Sequence, residues 1–225
     1  MLQPEVASEV YQGQFGTFTI DDRDRLGVII YRGALMLSAV SFGAAVLLLF
    51  SNWGEIESGK REILDLISWL CIPFAIGLGI ALAMIHIYLV FLHRTLQIFW
   101  AIGCVSAIGL AIQNPDPLVL TVYQYPLTLF GVGFIFAALT GIFFKEAFCF
   151  NRWETKILTL LVPTLLLGHL IHVIPATLEA SLLATWALLF LIFAVRKSIQ
   201  AIPPDIGDKS VFEHLHQRSH LKNGN

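Results

Sequence analysis

Charge is scarce in this chain. Only 13% of its 225 residues are Asp, Glu, Lys or Arg, against the roughly 25% of a soluble domain. So little charge cannot clothe a water-facing surface of ordinary size. A hydrophobic content of 56% and a mean hydropathy of +0.75 point the same way. A basic surplus is also lacking: the net charge is -2, which leaves no case for a nucleic-acid partner. Cysteine is limited to Cys71, Cys104 and Cys149. They form no Cys-x-x-Cys, and their places along the apolar runs put them at three different depths, so no disulfide is expected. The familiar catalytic signatures are missing too. There is no Gly-rich phosphate loop ending in Lys-Ser/Thr, no G-x-S-x-G elbow and no His-Glu-x-x-His. Gly131-Val-Gly133 lies inside an apolar run and is not a nucleotide fingerprint. The expectation is a protein that is not an enzyme, with no catalytic residue and no metal site. The opening Met1-Leu2-Gln3-Pro4-Glu5 lacks a basic start, and no apolar run appears before Arg32, so it does not read as a signal peptide.

What the chain does have is long apolar stretches. A bilayer core about 30 Å thick takes about 17–25 apolar residues in a helix. Six windows lack Asp, Glu, Lys and Arg: 33–52, 66–91, 96–112, 127–144, 157–174 and 180–195. Barrel strands of about 10 alternating residues do not fit such runs, and a helix satisfies its own backbone hydrogen bonds in lipid. The fold class expected is therefore all-α: a polytopic transmembrane bundle of six spans over residues 33–195. An N-terminal arm (1–32) and a C-terminal tail (196–225) flank it.

Basic residues orient the bundle. Alternate crossings place twelve of the fourteen Lys and Arg on one side. These are Arg23, Arg25 and Arg32 in the arm, Arg94, then Lys145, Arg152 and Lys156, and finally Arg196, Lys197, Lys209, Arg218 and Lys222 in the tail. Only Lys60 and Arg61 fall on the other side. The positive-inside rule then puts both termini in the cytoplasm or its organellar equivalent. Trp53, Trp69, Tyr123 and Tyr125 are interfacial anchors on the outer side and Trp153 on the inner side, while mid-span Trp186 is expected to pack. Small residues at four-residue spacing, including Gly77 with Ala81, Gly103 with Ala107, and Gly133 with Ala137 and Gly141, provide smooth faces for helix packing. Pro73 and Pro163 are expected to bend their helices.

Ionisable groups at membrane depth are where function is sought, and here they are histidines. His86 falls near the inner end of the second span, with His93 and Arg94 beyond it. His169 and His172 share a face of the fifth span by their i,i+3 spacing. Such residues are candidate ligands of haem, pigment or quinone, but counting rise from the inner ends separates His86 from His169 by about 10–15 Å in depth, which argues against one shared site. The polar stretch 145–156 is an interfacial connector, and Lys145, Glu146, Arg152 and Trp153 are its candidate docking residues for a partner. In the tail, Pro203 and Pro204 are expected to stop the last helix. Ser210 is expected to cap a short helix with Glu213 three residues on, and His214, His216 and His220 form a loose cluster.

The stretches YQGQFGTFTIDDRDR (11–25), IHIYLVFLHRTLQIFWAIGC (85–104), LTLFGVGFIFAALTGIFFKEAFCFNRWETK (127–156) and IPPDIGDKSVFEHL (202–215) resemble a family of uncharacterised integral membrane proteins with a domain of unknown function. That family is associated with cyanobacteria and plastids. The resemblance spans about residues 11–215 and transfers no active residue. It implies a habitat, the thylakoid or plasma membrane of an oxygenic phototroph. The expected role is a non-enzymatic accessory, scaffold or assembly component of a membrane complex in contact with lipid. The alternatives are a small-solute or ion transporter or channel, suggested by a layout that repeats in the two halves, and a binder of haem, pigment or quinone. The cofactor, partner and oligomeric state stay open at this point.

Overall fold

The computed structural model describes residues 10–211 except Gly59 and Tyr88. A two-stranded antiparallel hairpin comes first, β1 (Val10–Gln12) and β2 (Thr17–Thr19), with Tyr11 opposite Phe18. Six long helices follow: α1 (Asp22–Ser51), α3 (Glu62–Met84), α4 (Val90–Gln113), α6 (Leu129–Phe150), α7 (Trp153–Leu170) and α8 (Ala176–Ser198). Short helices α2 (Trp53–Glu57), α5 (Leu118–Gln124) and α9 (Pro203–Ile206) lie between or after them. Five segments are long and apolar enough to cross a membrane: Asp22–Ser51, Glu62–Met84, Val90–Gln113, Pro126–Phe150 and Ala176–Ser198. α7 is 18 residues long and packs between α6 and α8.

The helices follow one another around a ring. α1 packs on α3, α3 on α4, α4 on α6, α6 on α7, α7 on α8, and α8 returns to α1. Small residues set the close approaches. A Cβ on Gly77 would sit 2.6 Å from the Ala34 carbonyl oxygen of α1, and one on Gly103 would sit 2.5 Å from the Ile135 amide of α6. Aromatic side chains fill the centre. Phe42, Phe74, Phe136 and Trp186 form a closed set with ring centroids 4.5–6.0 Å apart. Trp186 is 2% exposed, so its packing role is as expected.

One end of the bundle gathers the loops after α1, α4 and α7. Arg61 pairs with Asp116, the Ser68 hydroxyl accepts from the Val119 amide, and His169 meets the Tyr123 carbonyl. The opposite end, called inner here, gathers the hairpin, the connectors after α3 and α6, and the segment after α8. There the Gln14 amide donates to Asp208 at 2.6 Å, the Phe15 amide donates to Ser210 at 3.0 Å, and Lys209 pairs with Asp24 at 2.7 Å. Ile20, Val28 and Ile206 are the buried apolar centre of this small module. Gly13 is required in the hairpin turn, because a Cβ there would overlap Asp208 and Ser210.

Several expected boundaries shift. α1 starts at Asp22, eleven residues ahead of the apolar window. The charges that end an apolar run do not end a helix, and Asp21 and Asp24 make a capping box at its start. The second span stops at Met84 rather than at residue 91: Ile85 is extended and residues 86–87 are not helical. The Leu82 carbonyl is instead taken by His93 Nε2 at 2.6 Å and by Gln97 at 3.3 Å. α6 runs on through Phe150, so most of the expected 145–156 connector is helix. The turn is only Asn151 and Arg152, with Asn151 left-handed (φ 51°), a conformation that Asn tolerates. α8 ends at Ser198, before the prolines, and Pro203 instead opens α9. Pro73 and Pro163 sit inside α3 and α7 without ending them. The three cysteines are free. Glu213, His214, His216 and His220 lie outside the described residues, while Ser210 donates to Asp208 at 2.6 Å.

Candidate functional site

Two clusters of polar side chains stand out, one at each end. The inner one is a buried ion network. Lys197, in the last turn of α8, is fully buried, and so is Glu146 of α6. The Lys197 ammonium donates to Glu146 Oε2 at 2.6 Å and pairs with Asp205 of α9. Asp205 also receives Arg32 of α1, from Nη2 at 2.6 Å and Nε at 2.9 Å. Arg32 has further donors for the carbonyls of Gln200 and Ala201, at 2.6 and 2.9 Å. Tyr31 donates to Glu146 at 3.2 Å, and Lys145 donates to the same oxygen at 2.9 Å. Beside these, buried Glu154 of α7 takes Arg196 at 2.8 Å and Arg152 at 3.4 Å. The Phe150 ring lies 3.9 Å from the Lys197 ammonium and also faces Lys145 and Arg152. A buried charge is tolerated only when it is paired and hydrogen-bonded. Here each carboxylate meets two cations, and the network ties α1, α6, α7, α8 and α9 together. At the module's surface, the Ser210 hydroxyl and the Gln14 amide hold the Asp208 carboxyl below the usual carboxylate range.

The outer cluster surrounds His169. The chain leaves α7 at Leu170, so His169 is at the helix end rather than mid-span. His172 lies past the end, left-handed with φ 55°. Its exposed side chain therefore does not share a helix face with His169, contrary to the i,i+3 expectation. His169 Nδ1 is 2.9 Å from Glu179 Oε1 in the first turn of α8, and Nε2 is 3.1 Å from the Tyr123 carbonyl oxygen. Tyr123, His169 and His172 stack with centroids 5.1 and 6.4 Å apart. They edge an open cleft of about 290 Å³ with Ile174, Ala176 and Glu179. Stacked rings do not aim their nitrogens at a common point, and among the described residues no three His, Cys, Asp or Glu side chains form a metal-binding group. His169→Ala is expected to cost about 1–3 kcal/mol by orphaning Glu179. The check is a lowered thermal midpoint in detergent that Glu179→Ala, added to His169→Ala, does not lower by the full amount of its own effect.

His86 is at the other end of the bundle, in the connector after α3 and not on a helix. It is close enough to Asp24, Lys145, Asp205 and Lys209 to feel their charges, and burial moves its pKa below the ordinary imidazole value. His86 and His169 thus lie at opposite ends of the bundle. Among the docking candidates, Glu146 is fully buried, Lys145 and Arg152 are drawn into the network, and Trp153 is 52% exposed. Arg32, Lys197 and Asp205 went unrecognised as a site because each reads as a flanking charge. Their one signal is that Arg32 and Lys197 lie at the ends of apolar runs, with Asp205 in the segment that follows the last one.

The sequence model of a family described as Uncharacterized integral membrane protein (DUF2301) matches residues 80–214, more than half of the chain. No curated protein and no solved structure matches it.

Proposed function

We propose that this chain, which belongs to the DUF2301 family of uncharacterized integral membrane proteins, is a non-catalytic six-span bundle that presents a folded inner module as an accessory, scaffold or assembly component of a membrane complex. The observation that carries this reading is the filled interior. Phe42, Phe74, Phe136 and Trp186 occupy the middle of the ring, and the Lys197 network occupies its inner end. A transporter or channel needs a path or a midplane site, and here packed aromatic rings take that space. Parity supports six crossings: the hairpin and the segment after α8 meet at the same end, which an odd number of crossings would forbid. The basic residues concentrate at that end, and the positive-inside rule makes it cytoplasmic or stromal. The family resemblance points to the thylakoid or plasma membrane. A partner would meet Trp153, which is exposed, together with the module; Glu146 contributes from within by holding the α6–α8 contact.

The test is native electrophoresis after gentle detergent extraction, with reporters fused to each terminus. The expected outcome is a complex that carries the protein and loses abundance when its gene is deleted, with both reporters on the same side. A protein that migrates alone while no complex changes would overturn the scaffold reading, and reporters on opposite sides would overturn the six-span map.

A further inference from the structure

The inner network does not balance. Among the described residues it holds three carboxylates, Glu146, Glu154 and Asp205, and five cations, Arg32, Lys145, Arg152, Arg196 and Lys197. Two positive charges are left over. Arg32 and Lys197 are enclosed by their partners. The surplus therefore falls on the side of Lys145, Arg152 and Arg196, where donors remain. Arg152 reaches Glu154 only at 3.4 Å and otherwise donates to the neutral Gln200 side chain, and Lys145 has one carboxylate contact, to an oxygen already bonded to Tyr31. Arg196, with its side chain 45% exposed, opens the cluster to the surface. Cations partly withdrawn from water attract an anion far more than solvated ones do.

The surroundings indicate where that anion comes from. Phe144 and Phe148 on the inner end of α6 and Trp153 at the start of α7 are all exposed. An exposed Trp beside the end of an apolar helix marks the level of the lipid headgroups, and the two Phe rings next to it offer an apolar surface to the acyl chains. We infer that Arg152 and Arg196, supported by Lys145, bind the phosphate of an anionic lipid headgroup at the inner membrane surface. The inference does not depend on the scaffold role, and lipid binding fails or holds independently of any complex. The chemistry is charge-assisted hydrogen bonding from guanidinium groups to phosphate oxygens.

The test uses the full-length protein in an uncharged detergent, with short-chain phosphatidylglycerol, phosphatidylcholine or inorganic phosphate as probes. Phosphatidylglycerol is expected to raise the thermal midpoint, with phosphatidylcholine without effect. The Arg152→Gln/Arg196→Gln variant should need about tenfold more lipid for the same shift, while Arg23→Gln, outside the cluster, behaves as wild type. Inorganic phosphate that reproduces the shift would assign the site to a soluble phosphate and overturn the lipid source. Equal shifts with both lipids, or in wild type and double variant, would overturn the site itself. If the double variant fails to fold, native mass spectrometry of the wild type decides: preferential retention of phosphatidylglycerol, lost in Arg196→Gln, supports the site, and equal retention of both lipids sinks it.

Discussion

Lys197→Ala is expected to destabilise the protein by about 3–5 kcal/mol, the cost of leaving buried charges without their partner. Lys197 is fully buried between Glu146 and Asp205, with the Phe150 ring 3.9 Å from its ammonium. Removing the ammonium sets two carboxylates facing one another where water does not reach. Asp205 keeps Arg32, and Glu146 keeps Lys145 and Tyr31, so the loss stays within that range. The consequence is directional. α9 is attached to the bundle through Asp205, so the inner module should loosen before the helices separate. Denaturant-driven unfolding in mixed micelles gives the free energy, and protease sensitivity around residue 205 gives the order of events. Lys197→Met should cost less than Lys197→Ala, because it fills the space beside Phe150 while Glu146 keeps Lys145 and Asp205 keeps Arg32. Full stability in Lys197→Ala would show that the ion network does not hold the inner end.

Trp186→Ala is expected to cost a similar amount, about 3–5 kcal/mol, for a different reason: it empties a large cavity in a packed interior. The indole lies 4.5 Å from Phe42 and 5.3 Å from Phe136 between centroids, and these rings belong to α1 and α6. In lipid, dispersion contacts rather than water exclusion hold helices together, so lost contact area falls directly on the association of three helices. Trp186→Phe should cost much less, under about 1.5 kcal/mol. Among the described residues the buried indole N–H has no hydrogen-bond partner, so Phe gives up no bond there. Thermal unfolding monitored by tryptophan-independent light scattering measures both. Equal losses in the two variants would mean that ring packing is not what Trp186 contributes.

The bundle was legible because the physics of lipid is coarse. Long charge-free windows between charged or polar connections mark helices whatever their neighbours do, and the six long helices overlap the six windows. Their ends were less legible because hydropathy sees where apolar residues stop and not where hydrogen bonds do. Asp22–Arg25 are charged and helical, residues 85–87 lie inside the charge-free window yet are not helical, and Lys145–Phe150 continue a helix into the level of the charges. The ion network escaped for a further reason. Arg32, Glu146, Lys197 and Asp205 are separated by long stretches of chain, and each alone is an ordinary flanking charge. Only the ring order of the helices brings them within bonding distance. The same holds for His169, whose partner Glu179 lies across a turn and whose other acceptor is a backbone carbonyl 46 residues away.

The hairpin near the start of the chain takes its hydrogen-bond acceptors from residues 194 and 195 positions later. During synthesis it therefore waits, incomplete, until the final crossing has entered the bilayer and the following stretch has left the ribosome. A chain that stops before Asp205 leaves the hairpin turn without its acceptors and Arg32 without its carboxylate. Closing the inner module is thus the last event in building the fold, since it needs the first and the last described elements both in place.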